Sequence, residues 1–418
     1  MAVVDKVLGL ARGVWRGAAP ASVRSAFQPI ASGLLARRAF AAASPLEPAF
    51  APGPLVVSGF LNESKGVSQA ARLTVSALAA AGFAPVAHDI RTVLARGPGG
   101  GARTPASEPG GVWLAHCNAP EAVAALAMMS PASWRGRYRI GYWAYELAVA
   151  PPFWARASRL FHEIWAPSRF VADALRSAGV TTRVEVMPHP VAIEPLSPQP
   201  DRARFGLPAG AFCVLAMGDL LSSGTRKNLA GAVDIYRKAF PTTGEGARLA
   251  IKAMGGAMHP AFAAYAARIG RERPDIVFIT DTLPEAGVRS LIASCDVLLS
   301  PHRAEGFGLP LAEAFLLGVP PLATGWSGNV DFMADLNDLT IAHAMTPVRD
   351  PYGVYPSGKL SWAEPDVDDA VRKLLALAAS PDLRRSLAKR GRLTVEALSS
   401  PWSRERLLET SLGQLVKR

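Results

Sequence analysis

Cysteine is scarce. The 418 residues hold three, Cys117, Cys213 and Cys295, and they lie far apart. That spacing excludes a disulfide scaffold and a thiolate zinc site; buried free thiols in a reducing compartment are expected instead. Long apolar runs are absent too. None reaches the roughly 20 residues that cross a bilayer, and no apolar core followed by a small-residue cleavage site marks an export signal. Acids are outnumbered, 34 Asp and Glu against 45 Lys and Arg, a net charge of +11. An excess of that sign favours phosphorylated ligands, polyanions or an anionic membrane surface. No helix-turn-helix and no basic ribbon with interleaved aromatics occurs, so nucleic acid is not an expected partner. There is no internal repeat. What the chain has is length: 418 residues, half of them hydrophobic, exceed one core and suit two domains.

The most informative stretch runs from Ser300 to Met333. The apolar run Asp296-Val-Leu-Leu-Ser300 before it reads as a buried strand. A charged turn, His302 to Gly308, leads into a helix over Leu309–Leu317, with Pro310 suited to its first turn and Gly318 as its stop. A strand, Pro321–Thr324, and a turn, Gly325-Trp-Ser-Gly328, follow. Strand–loop–helix–strand units bind ligands at the carboxyl ends of their strands. The N–H groups of Gly306, Phe307 and Gly308 precede a helix N-terminus and can cradle a phosphate. Glu305 and Glu313, with seven residues between them, put a carboxylate at either end of that anion site.

The Glu–seven residues–Glu spacing, with Gly-Phe-Gly after the first Glu, resembles the signature of retaining GT-B glycosyltransferases of the "glycosyl transferases group 1" family. The continuation Ala323–Met333 is similar to a branch rich in mannosyltransferases of surface-polysaccharide pathways. The resemblance covers about residues 54–415. It implies an α/β fold of two Rossmann-like parallel-sheet domains facing a cleft, with a C-terminal helix crossing back to the first. The expected boundaries are 1–50 for a basic extension, 51–200 for the acceptor domain, 201–385 for the donor domain and 386–418 for the returning helices.

The same resemblance implies a nucleotide-diphosphate sugar, GDP- or UDP-linked, as donor substrate, with no cofactor and no metal. The acceptor is a hydroxyl of a glycan or a lipid-linked sugar. It assigns phosphate neutralisation to Arg226 and Lys227, sugar contact to His116 and Glu305, and the ribose hydroxyls to Glu313. Further donor contacts fall to Gly66, Thr282, Leu283 and the loop Gly306, Phe307, Gly308 and Leu309. In many members an Arg stands where this chain has Asp219. Alternatives from other classes are a two-lobed sugar- or nucleotide-binding protein without turnover, and an epimerase or phosphorylase of the same fold.

Taken in order, the chain opens with Val3, Val4, Val7, Leu8, Ala11, Val14 and Trp15 at helical spacing, with Lys6, Arg12 and Arg16 off that stripe. A basic amphipathic segment can lie on an anionic membrane. The expected location is therefore cytoplasmic, with peripheral attachment to the inner membrane face as an option; a helix on the protein's own surface, a tail and a transit peptide remain alternatives. Strands are expected at Leu55–Leu61, Pro85–Ile90, Gly111–Cys117 and Arg139–Leu147, a further strand opens the stretch Glu163–Phe170, Val184–Val191 closes the first domain, and a Gly/Pro-rich surface loop lies between Arg96 and Gly111. Gly66 permits close backbone approach at the start of a helix. His116 stands at a strand's carboxyl end. Tyr145 and Glu146 end an aromatic strand, and aromatic faces beside an acid suit sugar recognition, here on the acceptor side. Ser168 is placed to cap a helix, and Glu194–Pro208 reads as the linker. In the second half, Phe212–Asp219, Arg248–Met254 and Asp275–Thr280 read as strands. Asp366-Val-Asp368 resembles a metal-binding Asp-x-Asp, but its place after Pro365, opening an amphipathic helix, favours capping.

Overall fold

The computed structural model describes residues 33–34, 36–41, 52–63, 66–96, 110–134, 136–191, 200–244, 246–351, 353–355 and 358–416. The amphipathic segment over 3–16, most of the Gly/Pro-rich loop and linker residues 194–199 lie outside them.

Apolar, β-branched runs form two sheets. The first holds β1 (Leu55–Gly59), β2 (Pro85–Asp89), β3 (Val112–His116), β4 (Tyr138–Tyr142), β5 (Glu163–Ala166) and β6 (Arg183–Val186), in the order β2-β1-β3-β4-β5-β6. The second holds β7 (Phe212–Asp219), β8 (Ala247–Met254), β9 (Ile276–Ile279), β10 (Val297–Ser300), β11 (Pro321–Thr324) and β12 (Thr340–Ile341), in the order β12-β11-β10-β7-β8-β9. All pairings in both sheets are parallel. Helices cover both faces, which is why β1 and β3 are buried at every residue and carry no polar alternation. Each lobe has its own core. The three cysteines are free and buried in these cores.

Local signals act as expected. Ser168 accepts from Val171 N at 3.2 Å and starts the Arg169–Ser177 helix. Asp366 accepts from the N–H groups of Asp368 and Asp369 at 2.9 and 3.0 Å, so the Asp-x-Asp is a helix cap.

The C-terminal path crosses between lobes. The Pro381–Leu398 helix packs on the second lobe, where a Cβ on Gly391 would meet Phe315 Cε1 at 2.0 Å. The crossing itself comes at Ser399–Ser403. Trp402 then donates its Nε1–H to Pro188 O at 2.6 Å and packs edge-on against Trp165. Arg404 donates to Ala81 O at 2.8 Å, and Leu407 and Leu412 enter the first lobe's core.

One element has no counterpart in the sequence reading. An antiparallel hairpin, β13 (His343–Pro347) and β14 (Ser361–Pro365), leaves the second lobe. Val348, Tyr355 and Trp362, on or beside it, are buried in the first lobe's core. Arg303 holds the hairpin with two bonds of 2.7 Å to Glu364.

Candidate functional site

Each sheet reverses its strand order once, between β1 and β3 in the first lobe and between β7 and β10 in the second. In open parallel sheets the crevice outside the carboxyl ends at such a reversal receives ligand. Here the two reversals face each other across a cavity of about 350 Å³ lined from both lobes.

The second lobe supplies a cationic end. Arg226 and Lys227 sit on a one-turn helix, Gly224–Lys227, capped by Ser223, whose φ of 77° lies in the left-handed region. A serine is held there because its hydroxyl accepts from Arg226 N at 3.3 Å and donates to Asp350 at 3.0 Å. Arg226 is buried. It donates to Ala304 O at 2.8 Å and lies 3.3 Å from Glu305 and 3.8 Å from Glu146. Lys227 pairs with the other Glu305 oxygen. Burial pushes the Glu305 carboxyl up, but the Lys227 and Arg226 charges outweigh it and hold it at about 2. Burial likewise opposes the Arg226 charge, and its acidic and phenolic neighbours more than restore it.

Next to this cluster the chain turns into the Leu309–Leu316 helix through Gly308, whose φ is 94°. Gly328 N donates to Glu305 O at 2.9 Å; a Cβ on Gly328 would meet Gly306 O at 2.2 Å, so only glycine allows the two loops to stack. Ser168 of the first lobe donates to Gly306 O at 2.7 Å. The Glu305 and Gly306 carbonyls are thereby occupied. Its N–H groups at Gly306, Phe307 and Gly308 have no acceptor among the described residues, and they front the helix N-terminus beside Lys227. That is the geometry of an anion site.

Glu313, one turn into the helix, is 3 % exposed. It accepts from Gln69 of the first lobe at 2.7 Å and lies 3.5 Å from Arg289. Burial raises its pKa, and Arg289 and Gln69 only partly offset this. On the facing wall the His116 ring lies tilted against the Tyr142 ring, 4.1 Å centroid to centroid, and its Nδ1 has no partner among the described residues. Burial, helped by His189, keeps it well below 6.5 and therefore neutral. Tyr142 in turn bonds His189 Nδ1 at 2.9 Å.

Gly66, His116, Glu146, Arg226, Lys227, Thr282, Leu283, Glu305, Gly306, Phe307, Gly308, Leu309 and Glu313 all line this cavity. Tyr145 is a correction. Its ring packs 5.2 Å from Trp154 and 6.2 Å from Tyr355, inside the lobe contact and off the cavity wall. The backbone after β4 is irregular, so strand alternation does not fix which aromatic faces the cleft, and Tyr142 does so instead. Glu146 reaches the wall, held by the Tyr355 hydroxyl at 2.9 Å.

Sequence reasoning missed Gln69, Asn118, His189, Lys252 and Arg289, which also line the cavity. A usable signal existed for Lys252, a lone cation near the carboxyl end of an apolar strand. His189 stands in Met-Pro-His-Pro after β6. Gln69 and Arg289 occupy ordinary polar helix positions that nothing local distinguishes.

Residues 170–397, more than half of the chain, match a family model described as GT4-conflict, "Family 4 Glycosyltransferase in conflict systems". No curated protein matches the sequence. Among solved structures, a glycosyltransferase from Rickettsia africae superposes with a TM-score of 0.59 at 13 % identity, covering 88 % of this chain and 98 % of that one. WaaG, a glycosyltransferase involved in lipopolysaccharide biosynthesis, gives 0.53 at 15 %, covering 87 % and 98 %. TarM of S. aureus, whose complex holds UDP, gives 0.51 at 11 %; the match covers 73 % of this chain and spans about half of TarM, 55 %. At these identities the likeness is one of fold.

Proposed function

The chain belongs to the family 4 glycosyltransferases and has the GT-B fold, and from that premise we propose that it moves a hexose, mannose among the candidates, from a GDP- or UDP-linked donor to a hydroxyl of a glycan or lipid-linked acceptor, with retained configuration. The observation that carries this is the meeting of Lys227, Arg226, Glu305, the Gly306–Gly308 amides and Glu313 in one cavity.

The diphosphate lies against the amides of Gly306–Gly308 and the cations Arg226 and Lys227. As the bond between the sugar's anomeric carbon and the diphosphate oxygen breaks, negative charge grows on the leaving group, and these fixed donors stabilise it. Lys227 has three hydrogens to give, so it can serve a phosphate oxygen without releasing Glu305. Glu305, ionised at any physiological pH, accepts from the donor sugar's hydroxyls and orients it. Glu313 accepts from the ribose. The acceptor hydroxyl attacks on the leaving-group face and its proton passes to the departing phosphate. His116, neutral, contacts the sugar as a hydrogen-bonding group, and Glu146 lies on the acceptor side. Side-chain cations and backbone dipoles supply what a divalent metal would. A peripheral membrane location and a place in polysaccharide or glycolipid synthesis extend this reading through the acceptor's chemistry.

The test is a panel of GDP- and UDP-hexoses read by thermal stabilisation, which a bound donor raises by mass action, followed by transfer assays. Lys227→Ala and Glu305→Gln should each cut transfer by about 10²-fold or more while both proteins still fold. Near-normal turnover in both variants would overturn the assignment; donor consumption without any acceptor would point to hydrolysis or epimerisation.

A further inference from the structure

The cavity has a direction that contacts already given establish. From the amides at the start of the Leu309–Leu316 helix it passes Glu313, which Arg289 approaches at 3.5 Å. Arg289 lies on the Glu285–Ala293 helix, next to Val288, and the chain before that helix brings in Leu283 and Thr282. Met254, at the end of β8, completes an apolar wall with Leu283 and Val288. A nucleoside diphosphate whose phosphates sit at the amides and whose ribose meets Glu313 places its flat base against that wall.

Lys252, two residues before Met254, lines the same end and is 5 % exposed. Its Nζ donates one hydrogen to Asp281 O at 2.8 Å. An ammonium has three hydrogens, and burial disfavours its charge. A buried ammonium with hydrogens to spare beside an apolar slot favours a ligand oxygen and penalises a ligand N–H, because an unmade bond to a buried charge costs more than an ordinary one.

We propose that Lys252 selects the donor's nucleobase by giving an Nζ–H to uracil O4 or guanine O6, so that these oxo bases are taken over their amino counterparts cytosine and adenine. The oxo and amino groups of each pair differ as acceptor against donor at the same ring position. This rests on the donor-site reading above.

The test is calorimetric binding of UDP, CDP, GDP and ADP to the wild-type protein and to Lys252→Met. In whichever ring size the cavity admits, the wild type should prefer the oxo member by about tenfold to a hundredfold, and Lys252→Met should level the pair. If the Met variant does not fold, Lys252→Gln, which can donate or accept, should level it equally. Equal binding of oxo and amino members by the wild type would overturn the proposal. So would a uniform loss for all four nucleotides in the variant, the result expected if Lys252 only holds the Asp281 loop. Binding of none of the four by the wild type would instead overturn the donor-site reading itself.

Discussion

Replacing Glu305 by Gln should cost stability by an amount that depends on pH. The carboxyl is buried between Lys227 and Arg226, and folding lowers its pKa from 4.5 to about 2. A depressed carboxylate contributes stability that is fully present above the unfolded value, near 4.5, and is lost as pH falls through the folded value. A difference of roughly 2.5 at about 1.36 kcal/mol each corresponds to about 3 kcal/mol at pH 7. By about pH 3 most unfolded chains have gained the proton while most folded ones have not, and about 1 kcal/mol remains. Gln mimics the protonated acid. The gap in unfolding free energy between wild type and Glu305→Gln should therefore shrink from about 3 to about 1 kcal/mol between pH 7 and about pH 3. Urea unfolding of both proteins, followed by tryptophan fluorescence at each pH, measures that gap. Other acids titrate in the same window but cancel in the difference. A gap that stays constant with pH would show that the two cations do not hold this carboxylate as the geometry requires.

Lys227→Ala should lower kcat by about 10²–10³, the usual loss of one preorganised donor to a developing anion, and should also lower the melting midpoint, because it leaves the buried Glu305 with Arg226 alone. His116→Gln should lower the height of the pH–rate profile by about tenfold, the loss of one hydrogen-bonding contact, without changing its shape, since buried His116 is already neutral well below 6.5; a limb near pH 6.5 that vanishes in the variant would refute this. Gly391→Ala drives a methyl into Phe315 and should destabilise by about 1–3 kcal/mol, seen as a lower melting temperature; a variant as stable as wild type would contradict the packing of the Pro381–Leu398 helix.

Much of the second lobe's side of the cavity was legible because its chemistry is local. Glu305, the Gly-Phe-Gly turn and Glu313 lie within nine consecutive residues, so strand, turn and helix geometry alone bring them together. Strand placement was equally local: Phe212–Asp219 and Pro321–Thr324 are apolar runs bounded by turns and were found to the residue. The first lobe's wall was less legible. Tyr145 and Tyr142 lie on one aromatic stretch; Tyr142 lines the cavity, while Tyr145 packs against Trp154 and against Tyr355, 210 residues onward. Gln69 reaching Glu313 is likewise a contact between lobes, with no trace in local pattern. The hairpin was missed because β13 is almost wholly exposed and carries neither alternation nor a two-residue turn signal.

That hairpin bears on how substrate gets in. Val348, Tyr355 and Trp362 would each forfeit about 1.5–3 kcal/mol if drawn out of the opposite lobe, so the halves stay pinned along that flank. Elsewhere the lobes are joined by the Ser168–Gly306 bond, by the Arg72–Glu285 pair, a third or more exposed on both sides and worth at most about 1 kcal/mol, and by the Gln69–Glu313 bond. Admission of a nucleotide should therefore proceed like a book opening from its fore-edge, with the hairpin as spine and Gln69 as the clasp that a ribose displaces.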